Sequence, residues 1–152
     1  MSNNQPNTEV IKFRVGLSGT YWDKKPAYAI GVNGTVYKEG AVTAESGAIE
    51  YVEFECEIPE GDNKLEISLL NKADSDTVQN EDKSAIVNDM LLNIESIEID
   101  DIDLGSLKWT GSNFVPSDTT RPTLVNCVNL GWNGTYSLAF ASPFYLWLLE
   151  NT

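Results

Sequence analysis

Histidine is absent from this 152-residue chain. That single absence excludes imidazole as a general base, the Ser-His-Asp arrangement and His-ligated zinc. Cysteine is nearly absent, and Cys56 and Cys127 cannot complete a zinc site alone. Cys56 occupies an inward position of an alternating strand. Cys127 lies in Val-Asn-Cys-Val-Asn-Leu, also read as strand, so two buried free thiols is the simpler reading and a disulfide the other. Basic residues are scarce, ten against 23 acidic ones, for a formal net charge of −13. Polyanions require clustered Lys and Arg, so nucleic acid is excluded, while neutral glycans, cations and basic surfaces stay open. No apolar run approaches the roughly 20 residues that span a bilayer, so no membrane partner is expected. The start, Met1 to Val10, is polar and has neither the basic region nor the apolar core of a signal peptide.

Helical periodicity is also missing. Ser84 to Leu92 is the sole helix candidate, and Asn88-Asp89 interrupts it. The dominant period is two, the signature of a half-buried strand. Ile11, Phe13, Val15 and Leu17 share one face of a segment, as do Tyr28, Ile30 and Val32, then Val52, Phe54, Cys56 and Ile58, then Leu65, Ile67 and Leu69. Asn33-Gly34 and Asn133-Gly134 read as two-residue hairpin turns, which also explains their Asn-Gly-Thr glycosylation sequons. The apolar parity switches near Glu95-Ser96 and again near Asp100-Asp101, which requires an extra residue or a tight turn at each place. The chain is expected to end in two aromatic strands, Thr135 to Phe140 and Pro143 to Leu149. The pattern predicts a single all-β domain over residues 9–152, an antiparallel, jelly-roll-like β-sandwich behind a disordered tail of residues 1–8.

The most informative stretch runs from Asn71 to Gly105. Ten of the 23 acidic residues fall between Asp74 and Asp103. Oxygen ligands crowded into a loop between strands point to a hard cation, calcium first. Asp74, Asp76 and Asp89 are the candidate ligands. Lys72 and Lys83 share the loop, so simple ion pairing competes with metal binding. Asp100, Asp101 and Asp103 alternate with Ile99, Ile102 and Leu104 and are explained as the outward side or turn of a strand. No acidic pair stands out for glycoside hydrolysis, which needs two carboxyls about 5–10 Å apart, one with a raised pKa.

From Val10 to Gly105 the order of features resembles the calcium-dependent xylan-binding carbohydrate-binding modules. The resemblance rests on four segments. These are Arg14 to Thr20 ending in Gly-Thr, Ile30-Gly-Val-Asn-Gly34, Gly61-Asp-Asn-Lys-Leu65 leading through Leu70-Asn71, and Asp89-Met-Leu-Leu-Asn-Ile-Glu95. It implies a non-catalytic β-sandwich that holds poly- or oligosaccharide, xylan-like β-glycan first. Calcium would bridge loop carboxylates and sugar hydroxyls, with Asp89 as a ligand and Asn71 at the loop entrance. The chain departs from the pattern at three places. Lys72 stands where the family has Asp, Met90-Leu91 where it has Arg-Asn, and Glu95 where it has Asp. Residues 106–152 lie beyond it.

Tyr21, Trp22 and Asp23 follow Gly19-Thr20 in a polar loop. An exposed Trp stacks on the apolar face of a pyranose and a carboxylate accepts hydroxyl donors. With Asn88 they form the expected lectin-like carbohydrate contacts. Trp109 and Trp132 are further loop or strand-end aromatics, and Trp147 is expected in the core or at an oligomer contact. The competing reading is a structural or adhesion domain, such as a viral tail or fibre protein, assembled through Phe144, Tyr145 and Trp147. Both readings place the protein outside the cell or on a virion.

Overall fold

The computed structural model describes residues 7–152. In it the alternating segments pair into two sheets. In the first, β1 (Thr8–Thr20) runs antiparallel between β4 (Ile49–Pro59) and β8 (Leu91–Ile99), and β9 (Ile102–Asp103) and β12 (Asn129–Leu130) both pair with β8. In the second the order is β11 (Leu124–Val125), β10 (Ser112–Pro116), β13 (Gly134–Ser142), β5 (Gly61–Leu69), β2 (Ala27–Val32) and β3 (Thr35–Ala41). A ribbon of β6 (Val78–Gln79) and β7 (Ile86–Asn88) rises from the acidic loop. Helices α1 (Leu107–Thr110) and α2 (Phe144–Asn151) complete the chain. No helix among the described residues is long and apolar enough to cross a membrane.

The two sheets form an all-β sandwich because each strand has one apolar row and the rows face each other. Phe13, Leu17, Ile58, Ile97 and Ile99 from the first sheet, and Ile30, Leu65, Ile67, Phe114 and Tyr136 from the second, are all fully buried. Phe13 stacks on Phe54 with ring centroids 4.9 Å apart and meets Phe140 of the opposite sheet edge-on at 6.0 Å.

Both parity switches have a structural counterpart. Gly16 pairs with Ser96 and Leu17 with Ile94, so Glu95 is the extra residue of a β-bulge. Asp100 and Asp101 both take left-handed backbone, φ 49° and 66°, as the two turn residues between Ile99 and Ile102. Asn33 and Gly34 do the same, φ 53° and 85°, between β2 and β3.

Several expectations are corrected. Asn133-Gly134 is not a hairpin. Leu130 belongs to the first sheet and Gly134 opens β13 in the second, so residues 131–133 cross between sheets. The glycine is required by close approach instead, since a Cβ there would sit 2.5 Å from the Val115 carbonyl oxygen. The run from Phe144 is helix α2, not a strand; its length suits either, and Pro143 ends the ladder beforehand. Phe144 and Trp147 turn inward there, with Trp147 edge-on to Phe140. Ser84 to Leu92, the helix candidate, is a turn followed by β7 and the start of β8. Residues 106–152, beyond the resemblance, belong to the same sandwich, with β13 between β10 and β5 in the second sheet. Cys127 lies between β11 and β12 rather than in a strand, and both cysteines are free thiols. The expected tail falls mostly on residues 1–6, outside the described residues, while Asn7 and Thr8 already contact Glu60 and Pro59.

Gly134→Ala is expected to cost about 2–3 kcal/mol, because backbone must move to admit the methyl group. Gly16→Ala should cost less, since the obstructing atom is the rotatable Ser96 hydroxyl, 2.5 Å from the added carbon. Urea unfolding midpoints of the two variants check the order.

Candidate functional site

The acidic loop joins β5 to β8 at one end of the sandwich. It leaves the sheet at Leu70, whose N–H still donates to the Ala27 carbonyl. Asn71 then clamps it to the β1–β2 connection, accepting from the Ala27 N–H at 2.8 Å and donating to the Lys25 carbonyl at 3.0 Å. The Lys72 backbone exchanges two hydrogen bonds with the Asn133 side-chain amide, 2.7 and 2.9 Å. Held so, the Lys72 side chain runs inward and is only 8% exposed. Its ammonium donates to Asp89 Oδ1 at 2.7 Å and to the Gly131 carbonyl at 2.6 Å. Asp89 Oδ1 also accepts from the Thr77 hydroxyl at 2.7 Å and the Met90 N–H at 2.8 Å.

A fully buried carboxylate lies in the 3-10 turn Asp74–Asp76. Asp76 is 3% exposed, accepts from the Ala73 N–H at 2.7 Å and pairs with Lys24 at 3.0 Å. Burial alone would push both carboxyls up. For Asp89, donation from Lys72, Thr77 and Met90 outweighs it; for Asp76, the Ala73 N–H and Lys24 do, so both sit below the usual carboxylate range.

The expected calcium ligands do not converge. Asp76 and Asp89 are each bound to a lysine, Asn71 is bound to backbone, and Asp74 is exposed. Among the described residues no three acidic or cysteine side chains gather as a metal site. Calcium takes about 6–8 oxygens, and this donor set does not fit it.

Next to the ion pair is an open polar cleft of about 450 Å³. The acidic loop supplies Lys72, Asp74, Thr77 and Gln79, the β10–β11 connection supplies Asp118 and Arg121, and the crossover supplies Trp132 and Asn133. The Arg121 guanidinium lies 4.3 Å from the Trp132 ring centre. Asp118 accepts from the Thr120 hydroxyl and N–H, which hold its exposed carboxyl below the ordinary range.

None of the expected sugar contacts lines this cleft. Tyr21 is a strut, donating its hydroxyl to the Ala44 carbonyl at 2.8 Å. Trp22 is 47% exposed, but its indole N–H is committed to the Asp76 carbonyl at 2.9 Å, tying the β1–β2 loop to the acidic loop. Asp23 is exposed, and Asn88 is exposed on β7 opposite Val78. Trp132 was visible in the sequence as a strand-end aromatic. Arg121 and Asp118 carried no local signal, since only the order β10, β13, β5 in the second sheet brings them beside the acidic loop.

No family model matches the sequence, and no curated protein matches it. Among solved structures the chain is similar to vCBM60 in complex with galactobiose, with a TM-score of 0.54 at 12% identity, covering 84% of this chain and 96% of that one. It is also similar to the selenomethionine form of vCBM60, described as a link by circular permutation between two families of calcium-dependent carbohydrate binding modules. There the TM-score is 0.56 at 12% identity, over 84% of this chain and 89% of that one. The shared feature is the all-β sandwich fold. At 84% of this chain the likeness extends beyond residues 10–105.

Lys72→Met is expected to destabilise the fold by about 2–3 kcal/mol, because Asp89 is left half-buried without its counter-charge. The depressed carboxyls add a pH dependence of definite sign. Their stabilisation is present above the ordinary carboxylate pKa and is lost as pH falls through the lower folded values, so stability should drop below about pH 4. Denaturant midpoints across that range, for the native protein and the Lys72→Met variant, check both; the variant should lose less on acidification.

Proposed function

We propose that this chain is a non-catalytic carbohydrate-binding module whose cleft holds a neutral poly- or oligosaccharide, with xylan-like β-glycan the first candidate. The observation that carries the reading is the convergence of Trp132, Arg121, Asp118, Asp74 and Gln79 around one open cleft. A pyranose presents C–H patches to an aromatic or guanidinium plane and hydroxyls at its rim. Asp74 and Asp118 accept hydroxyl protons, while Gln79 and Thr77 both donate and accept. A net charge of −13 does not oppose a neutral glycan. The fold shared with vCBM60, seen with galactobiose, supports the reading and adds that disaccharide as a second probe. Asp118, held below the ordinary range by its Thr120 donors, is unsuited to be the protonated acid that glycoside hydrolysis requires. The calcium implied by the sequence resemblance has no place in this reading. Such a module works where polysaccharide is, outside a cell or on a virion surface.

A second reading, an assembly domain, is favoured by one observation. Helix α2 leaves Tyr145, Leu146 and Leu149 exposed in one short segment. Sedimentation showing only monomer at low micromolar concentration removes it.

Trp132→Ala is expected to weaken binding of xylo-oligosaccharide or galactobiose at least tenfold, about 1.4 kcal/mol, with the fold retained. Asp23→Ala and Asn88→Ala should leave the affinity unchanged. Calorimetric titration of the three variants checks this, and the opposite ranking would move the site to the Tyr21–Asp23 loop.

A further inference from the structure

We propose that the Lys72 ammonium is the resident cation of the acidic loop, so that this loop takes no calcium and presents an N–H donor to the ligand where a metal would present a coordination site. The second half of this proposal rests on the sugar-binding reading; the first does not.

The placement of the ammonium carries the argument. It is not a surface lysine folded down by chance. Its backbone is gripped on both sides by the Asn133 amide, and the preceding residue, Asn71, is clamped to Ala27 and Lys25. From that base the ammonium reaches two oxygens, Asp89 Oδ1 and the Gly131 carbonyl, within 2.7 Å. A carboxylate and a carbonyl are the kind of hard oxygen donors that calcium uses. The chain supplies the positive charge covalently instead, and does so at the position where its sequence replaces the resembled family's Asp with Lys.

Admitting a divalent ion would then carry two costs. The ion would have to displace the ammonium from Asp89, because like charges a few ångströms apart repel strongly in a partly desolvated site. The displaced Lys72 would be left with its charge buried and unpaired. The neighbouring Asp76 offers no alternative, since Lys24 already neutralises it at 3.0 Å.

The same geometry leaves the ammonium something to offer. An ammonium has three N–H donors. Asp89 and Gly131 accept two, and Lys72 forms part of the cleft wall. The third donor is directed to a hydroxyl oxygen of a bound sugar, from a group that costs little to order because it is already fixed.

The test begins with calcium and the native, chelator-stripped protein. Calcium is raised to about 10 mM, above the range in which extracellular calcium modules saturate. The thermal midpoint is expected to stay constant, and the affinity for xylo-oligosaccharide or galactobiose to be equal in chelator and in calcium. A calcium-dependent rise in midpoint or affinity that disappears in Asp89→Asn overturns the proposal. Lys72→Asp provides the converse. Its midpoint should lie below the native one without metal and rise by several degrees with calcium, as ligation of the folded state requires. A folded Lys72→Asp protein indifferent to calcium would overturn the assignment of this position as the cation site. If Lys72→Asp does not fold, the native titration still decides. Absence of glycan affinity in both conditions defeats the sugar-binding reading and leaves the metal result standing.

Discussion

The ion pair between Lys72 and Asp89 holds together three parts of the chain that sequence keeps far apart. Lys72 begins the acidic loop, Asp89 ends it at the threshold of β8, and Gly131, the ammonium's other acceptor, lies in the crossover between the sheets. One buried positive charge therefore closes the loop on itself and fastens it to the segment that carries Trp132. The pair is strong because its geometry is fully used. Asp89 Oδ1 takes a hydroxyl and an N–H besides the ammonium, so burying the carboxylate does not leave its charge unbalanced. The cleft exists because this arrangement keeps the acidic loop and the β10–β11 connection facing each other.

The sandwich beneath it supplies the rigid base. Its two apolar rows meet through aromatic contacts such as Phe13 with Phe140, and Phe13 stacks on Phe54 within its own sheet. Strand β13, late in the chain, pairs along its full length with β5, so the end of the sequence completes the middle of a sheet. That placement explains why a cleft between residues near position 75 and residues near position 130 is compact: β5 and β13 deliver their flanking loops to the same end. In such a sandwich the loops wall the cleft and the strands carry the stability.

The charge pattern takes on meaning at this level. Many acids lie on the outward strand face, where Arg14 answers them, contacting Glu53 and Glu98 and stacking on Tyr51. Those in the acidic loop divide by environment. Asp76 is buried, Asp89 half-buried, and each is neutralised by a lysine, while Asp74 and Asp118 face the cleft and stay open to solvent. The same residue type serves as internal brace and as exposed acceptor, and only burial separates the two roles.

Much of the fold was legible in the sequence. Period-two alternation identified the main strands and their buried faces, since a strand with one face in the core must alternate. The parity breaks at Glu95 and Asp100-Asp101 located a bulge and a tight turn because a single extra residue reverses every side chain after it. The acidic loop and its competing lysine were visible as well. What local pattern left open was decided by tertiary pairing. Asn133-Gly134 has the composition of a hairpin, yet its flanking strands belong to different sheets. The apolar run after Pro143 suits strand or helix equally, and lack of a ladder partner made it helix. Whether the carboxylates of the acidic loop gather around a metal or each take a lysine is a matter of ångströms, not of composition. Likewise Trp132, Arg121 and Asp74 share a cleft only because the sheets bring their loops to one end. Sequence by itself determined the strands, their buried faces and the sign of the loop's charge, because these follow from neighbours along the chain. The partner of each charge and the walls of the cleft follow from neighbours in space, which only the closed sandwich assigns.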